Sequence, residues 1–129
     1  MNLEELKKLT FDIEDELSKE IESVCDFIFN NPELGGEEYI SSKYLVDKIA
    51  EYGFKVEYPY CNLDTAFRAE IGDDDGPTIA FLAEYDALPG YCDGKKLGHA
   101  CGHNWIAAGT FGACVVLSKL KTYSAILST

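Results

Sequence analysis

Basic residues are scarce in this chain: eleven lysines and arginines stand against 23 aspartates and glutamates in 129 residues, a formal charge of −12. The few lysines form no cluster, and a field of that sign repels phosphate, which argues against nucleic acid or an anionic membrane as partner. No apolar stretch reaches the ~18 residues that cross a bilayer, so a membrane role is not expected. The start, Met1-Asn2-Leu3-Glu4-Glu5, lacks the basic and then apolar segments of a secretory leader. Five cysteines, an odd number without framework spacing, do not make a disulfide scaffold. A reducing cytoplasm is the expected compartment. Repeats, low-complexity segments and linkers are also missing, so residues 1–129 read as one unit.

What is present argues for a fold with a core. Hydrophobic residues make up 47% of the chain and aromatics 12%, too many for disorder. From Leu3 to about Phe29 the apolar residues Leu6, Leu9, Ile13, Leu17, Ile21, Val24 and Ile28 recur every three or four places, which predicts an amphipathic helix with a break near Thr10. Asn30-Asn31-Pro32 ends it. A second helical pattern, Ile40, Tyr44, Leu45 and Ile49, runs to Tyr52 and stops at Gly53. The period then changes to two over Lys55–Tyr58 and Ala66–Ile71. Thr78-Ile79-Ala80-Phe81-Leu82-Ala83 is nearly all apolar and predicts a strand buried on both faces. Asp73-Asp74-Asp75-Gly76-Pro77 supplies a hairpin turn between the last two strands. A third helix is expected from Asn104 to Lys121, with Ala107, Ala108, Gly109, Gly112 and Ala113 as a small-residue face that approaches a sheet. The tail to Thr129 is either a short strand or frayed. Helices, strands and a helix in this order make an α/β layer structure.

Chemistry concentrates in Gly98-His99-Ala100-Cys101-Gly102-His103, which holds both histidines of the chain. Neutral imidazole and thiolate suit zinc and its neighbours, and in extended backbone Cys101 and His103 would point to one side. The loop feeds a helix N-terminus, whose partial positive charge favours thiolate at Cys101. The plainer alternative is that these are ordinary core and surface residues. A closed knuckle of Cys92, His99, Cys101 and His103 would need finger spacing that the chain lacks, so an open site is the better reading. Glu84-Tyr85-Asp86 follows the expected buried strand, where open α/β sheets bind ligands. Glu84 and Asp86 share a face if the strand continues, and either could bind an ion or orient a ligand imidazole through its second nitrogen. Asp86 could equally cap the turn before Pro89.

Three segments in order, Asn31-Pro32-Glu33-Leu34-Gly35-Gly36-Glu37-Glu38, Phe81-Leu82-Ala83-Glu84-Tyr85-Asp86-Ala87-Leu88-Pro89 and Gly98-His99-Ala100-Cys101-Gly102-His103-Asn104, resemble the N-terminal third of the metal-dependent amidohydrolases and aminoacylases. The resemblance spans about Leu17 to Leu120 and leans toward the branch of p-aminobenzoyl-glutamate hydrolases and dipeptidase-like proteins. It implies a two-metal site of zinc or manganese with Cys101 and His103 as metal ligands, Asp86 as the acidic residue of the catalytic centre, and hydrolysis of an amide bond in a small-molecule substrate. Glu84 stands where other branches of the wider clan carry a metal-binding histidine. Asn104 replaces a common aspartate, which fits the p-aminobenzoyl-glutamate branch, and Trp105 replaces a common leucine. The implied fold is an incomplete three-layer zinc-peptidase-like domain, because the paired-glutamate motif, the later metal-binding histidines and the lid do not appear, and residues after Lys121 leave the family pattern. A truncated chain, inactive alone, is therefore expected. Its partner would be the missing C-terminal half or a second copy, drawn to uncovered apolar surface. Two alternatives are one half of a split hydrolase, or a small acidic binding or regulatory module that keeps the fold without metal.

Overall fold

The computed structural model describes residues 1–72, 76–90 and 97–127, with side chains as far as Leu120. Helix α1 runs from Leu3 to Asn30. Asn2 starts it with a capping box, its side chain accepting from the Glu5 N–H while the Glu5 carboxylate accepts from the Asn2 N–H, so two of the end donors are satisfied. The expected break near Thr10 does not occur. The Thr10 hydroxyl donates to the Leu6 carbonyl one turn back (2.8 Å), which keeps a β-branched residue compatible with an unbroken helix. Ile13, Leu17, Val24, Cys25 and Ile28 are its buried positions.

Helix α2 covers Tyr39–Ala50 and buries Ser41, Ser42, Leu45 and Ile49. The chain turns away at Gly53, whose φ of +81° suits a residue without Cβ. Strands β1, Lys55–Glu57, and β2, Arg68–Glu70, pair antiparallel with Val56 opposite Ala69. These two small residues turn inward and pack on the core, while their neighbours face solvent. A second small sheet pairs β3, Leu88–Pro89, with β4, Leu97–Gly98.

Helix α3 runs from His103 to Leu127, so residues 122–127 of the segment read as a short strand or frayed tail are helical; the last two lie outside the described residues. The helix packs along α1. Ala107, Ala108, Phe111, Val115 and Val116 join Ile13, Leu17, Val24, Cys25, Ile28, Leu45 and Ile49 in one core. The small-residue face expected to approach a sheet serves this helix pair instead, with Gly112 pressed against Ile21 of α1. Among the described residues, no helix is long and apolar enough to cross a membrane.

The strand expected at Thr78–Ala83 is not formed. The segment pairs with no described strand, and Ile79, Phe81 and Leu82 are exposed, Leu82 at 91%. A continuous apolar run becomes a strand only when neighbours complete its ladder, and among the described residues none lies beside it. The Asp73-Asp74-Asp75 turn lies outside the described residues. The outcome, among those residues, is a mixed α/β unit of three helices and two small sheets.

Candidate metal centre

Asp86 is fixed by the loop between α1 and α2. The Glu33 carbonyl accepts the Ala87 N–H at 2.7 Å, and Gly35 leaves room for the Asp86 carboxylate, which would lie 3.7 Å from a Cβ at that position. The Glu33 side chain also reaches forward. Its two carboxylate oxygens accept the Ile40 and Ser41 N–H groups at 2.8 Å each, so the first turn of α2 is capped from seven and eight residues upstream. The segment Asn31–Glu38 is thus a bracket between a helix end and the acidic Glu84–Asp86 segment.

His103 arrives from the other side. The pairing of Leu88 with Gly98 lays the histidine loop against the segment that follows Asp86. Gly102, at φ +75°, then turns the chain into α3, and His103 is the first helical residue. Its Nδ1 lies 2.6 Å from Asp86 Oδ1 and its Nε2 lies 3.4 Å from Glu84 Oε2. An ionised carboxylate only accepts, so Nδ1 carries a proton and donates it to Asp86, and Nε2 is the ring nitrogen on the Glu84 side. This is the usual support for a metal-binding imidazole.

Glu84, Asp86 and His103 offer ligand atoms within 4.8 Å of one another. The site grades from wet to dry: the side chains of Glu84, Asp86 and His103 are 72%, 29% and 19% exposed. An ion could enter from the Glu84 side without unfolding the core. The donor set fits a borderline divalent cation. Two donor atoms 3.4 Å apart, each at roughly 2.1 Å from a zinc-like ion, subtend about 110° there, near the tetrahedral angle. The three side chains form a candidate metal centre, and their chemistry does not choose among divalent ions.

The other residues of the motif go elsewhere. Cys101 is exposed, and its sulfur stands outside the group of three. Between Cys101 and His103 the chain passes from a turn, through the left-handed Gly102, into a helix, so the extended alternation that would aim both side chains together does not hold there. His99 is buried, and its Nε2 contacts the Ile28 carbonyl at 3.0 Å. That places its proton on Nε2 and removes that nitrogen from any ion. Its Nδ1 has no partner among the described residues, and burial pushes its pKa below the ordinary histidine value. The knuckle of Cys92, His99, Cys101 and His103 is therefore not assembled through His99; Cys92 lies outside the described residues. Asn104 is buried and donates to Cys25 Sγ at 3.2 Å, anchoring the first turn of α3 to α1. Trp105 is exposed.

Sequence reasoning misses the supporting parts: Glu33 as a distant cap, and Tyr85, whose ring stacks on Phe67 and whose hydroxyl donates to the Thr65 carbonyl. The only trace of Tyr85 in the sequence is the alternation acid, aromatic, acid at Glu84-Tyr85-Asp86.

No family model matches the chain. A p-aminobenzoyl-glutamate hydrolase of Escherichia coli is 33% identical to 74% of this chain, over 22% of its own length. An Xaa-Arg dipeptidase of Mus musculus is 34% identical across 95% of this chain and 30% of its own. An N-acetyl-L-cysteine deacetylase of Bacillus subtilis is 29% identical across 80% and 26%. The chain spans less than a third of the length of these relatives. Shared sequence across most of this chain, together with an imidazole braced by one carboxylate and facing another, leads to one conclusion: the chain belongs to the family of metal-dependent amidohydrolases and peptidases of which these enzymes are members.

Proposed function

We propose that this chain is the ion-binding portion of an amidohydrolase catalytic domain, of the incomplete three-layer zinc-peptidase type, whose substrates are N-acyl amino acids or dipeptide-like amides. The single observation that carries the reading is the Glu84, Asp86 and His103 triad: His103 Nδ1 held at 2.6 Å by Asp86 and Nε2 facing Glu84 Oε2 at 3.4 Å. His103 and Glu84 would hold zinc or manganese, with Asp86 orienting the ring. Cys101, exposed two residues upstream, stands outside this group of three. A bound ion of this kind acidifies water and polarises an amide carbonyl. What the chain's own residues do is narrower. Asp86 keeps the His103 proton on Nδ1, Glu84 supplies negative charge at the solvent face, and Trp105 and Ile106 give the adjacent helix turn an exposed apolar surface.

The described residues supply few ligand atoms, which leaves much of the ion's sphere to water or to another polypeptide. The chain alone is therefore expected to bind zinc weakly and to turn over no substrate at a useful rate. The test is to purify it, titrate zinc and manganese by calorimetry, and assay p-aminobenzoyl-glutamate and simple acyl-amino acids. Binding that His103→Asn abolishes, without robust hydrolysis, is the expected result. No binding of either ion would leave the chain an acidic binding module and refute the proposal. Hydrolysis that appears only on co-expression with a second polypeptide would identify a split enzyme.

A further inference from the structure

The triad rests on a second set of contacts that faces away from it. Tyr85 lies between Glu84 and Asp86 and its side chain goes to the opposite side, into the core margin beside Phe67, with the ring centroids 6.3 Å apart. Its hydroxyl donates to the Thr65 carbonyl. The same Thr65 is buried, and its Oγ1 donates to Glu38 Oε2 at 2.6 Å. Glu38 is itself buried and accepts the Gly36 N–H at 2.9 Å through the same oxygen. Its other oxygen would lie 3.9 Å from a Cβ at Gly35, the position whose opposite neighbour is the Asp86 carboxylate. A closed path therefore runs from Tyr85 through Thr65 and Glu38 to the Gly35-Gly36 turn and back to Asp86.

We infer that Tyr85, Thr65 and Glu38 form a clamp that sets the rotation of the Glu84–Asp86 segment, and so hold both carboxylates on the His103 side. The inference rests on the reading of His103 and Glu84 as ion ligands given above. In extended backbone, residues i and i+2 share one face and i+1 the other, so pinning i+1 fixes which way the shared face points. Here the pin is a hydroxyl bonded to a backbone carbonyl, and that carbonyl's residue is tied to a buried carboxylate. Glu33 adds the second fixed point, at Ala87 N–H. With one end pinned at 85 and the other at 87, Asp86 cannot rotate independently. These are positioning residues: the Tyr85 and Thr65 hydroxyls are engaged with the Thr65 carbonyl and Glu38, and Glu38 is not in the group of three.

The test uses Tyr85→Phe, which removes one hydroxyl and keeps the ring stacking, and the pair Thr65→Val and Thr65→Ser, which remove and retain the donor to Glu38. Two readouts are taken on the whole chain. The first needs no metal: 15N NMR of the two imidazoles reports whether the His103 proton sits on Nδ1, the form that donation to Asp86 selects. The second is titration with cobalt(II), followed by its visible absorption. In the parent chain the Nδ1–H tautomer of His103 should dominate. In Tyr85→Phe and Thr65→Val it should fall toward the Nε2–H form preferred by free imidazole, and cobalt should bind about tenfold more weakly, the low end of the effect of losing a group that orients a ligand. Thr65→Ser should restore both. If the variants change only the unfolding temperature and leave the tautomer and cobalt affinity at parental values, the clamp is merely structural and the inference fails. If no form binds cobalt yet the tautomer responds as described, the clamp stands and the ion-binding proposal falls. Should Tyr85→Phe not fold, the Thr65 pair decides alone.

Discussion

Two glycines three residues apart on α3 should respond to the same substitution with opposite sign. Gly109 has nothing within 4 Å of the place a Cβ would occupy. Gly109→Ala therefore gains helix propensity without a packing penalty, a stabilisation of about 1 kcal/mol. At Gly112 the new Cβ would meet Ile21 Cδ1 at 2.7 Å and Cγ1 at 3.1 Å. The terminal methyl can swing aside, but Cγ1 is carried by a β-branched centre whose χ1 is stiff in a helix, so α1 and α3 must part or Ile21 must leave its rotamer. Overpacking of this kind costs about 1–3 kcal/mol. Subtracting the same propensity gain leaves Gly112→Ala destabilised by about 1 kcal/mol and the two variants roughly 2 kcal/mol apart. Urea unfolding followed by far-ultraviolet circular dichroism measures this, with a common m-value as the check that both unfold alike. Adding Ile21→Val to Gly112→Ala removes the methyl that clashes most and should recover about 1 kcal/mol relative to additivity. Equal stabilisation by both alanines, within about 0.5 kcal/mol, would show that α1 and α3 do not pack as closely as Gly112 requires.

Asp86→Asn should keep the shape of the site while losing the charge that fixes the His103 tautomer. Zinc affinity by competition with a chromophoric chelator should drop about 10–100-fold, and an unchanged affinity would remove Asp86 from its orienting role. His99 gives a pH dependence whose sign follows from burial. Its folded pKa is lowered, so the neutral ring is favoured in the fold; the contribution is full above the unfolded value of about 6.5 and is lost as pH falls below it. Unfolding free energy measured from pH 7 to pH 5 should decline by at most about 1.4 kcal/mol per unit from this group, and the decline should flatten in His99→Gln. Glu33→Ala removes the acceptor for two N–H groups at the start of α2 and should cost about 1–2 kcal/mol in the same urea assay. A cost no larger than that of Glu37→Ala, at an exposed position of the same loop, would refute the cap.

The helices are legible in the sequence because their signal is local. The stripe from Leu9 to Ile28 fixes α1 whatever it packs against, and Gly53 stops the chain by its own conformational freedom. Thr78–Ala83 departs from expectation for the opposite reason: unbroken apolar character reports what a segment needs from its neighbours, and the ladder is a property of those neighbours. At the site, the residue types and their order point to Glu84, Asp86 and His103, which the fold brings together. The juxtaposition expected of Cys101 and His103 assumes one regular backbone through residues 101–103, and Gly102 at φ +75° breaks that regularity. His99 is beyond reach of any spacing argument, since its partner Ile28 is 71 positions away. Thr65 and Glu38 are hidden similarly, being joined across 27 positions.

Thr78–Ala83 also bears on how much of this chain a cell can keep dispersed. Six consecutive residues that pair with no described strand and turn Ile79 and Leu82 to water are a template on which the same stretch of another molecule can add in register. Overall charge of −12 acts over a Debye length and slows encounter, and Pro77 and Glu84 flank the stretch as gatekeepers without interrupting it. Precipitation should thus depend on salt more steeply than on temperature, and a lysine in place of Leu82 should suppress it while leaving helices α1 and α3 untouched.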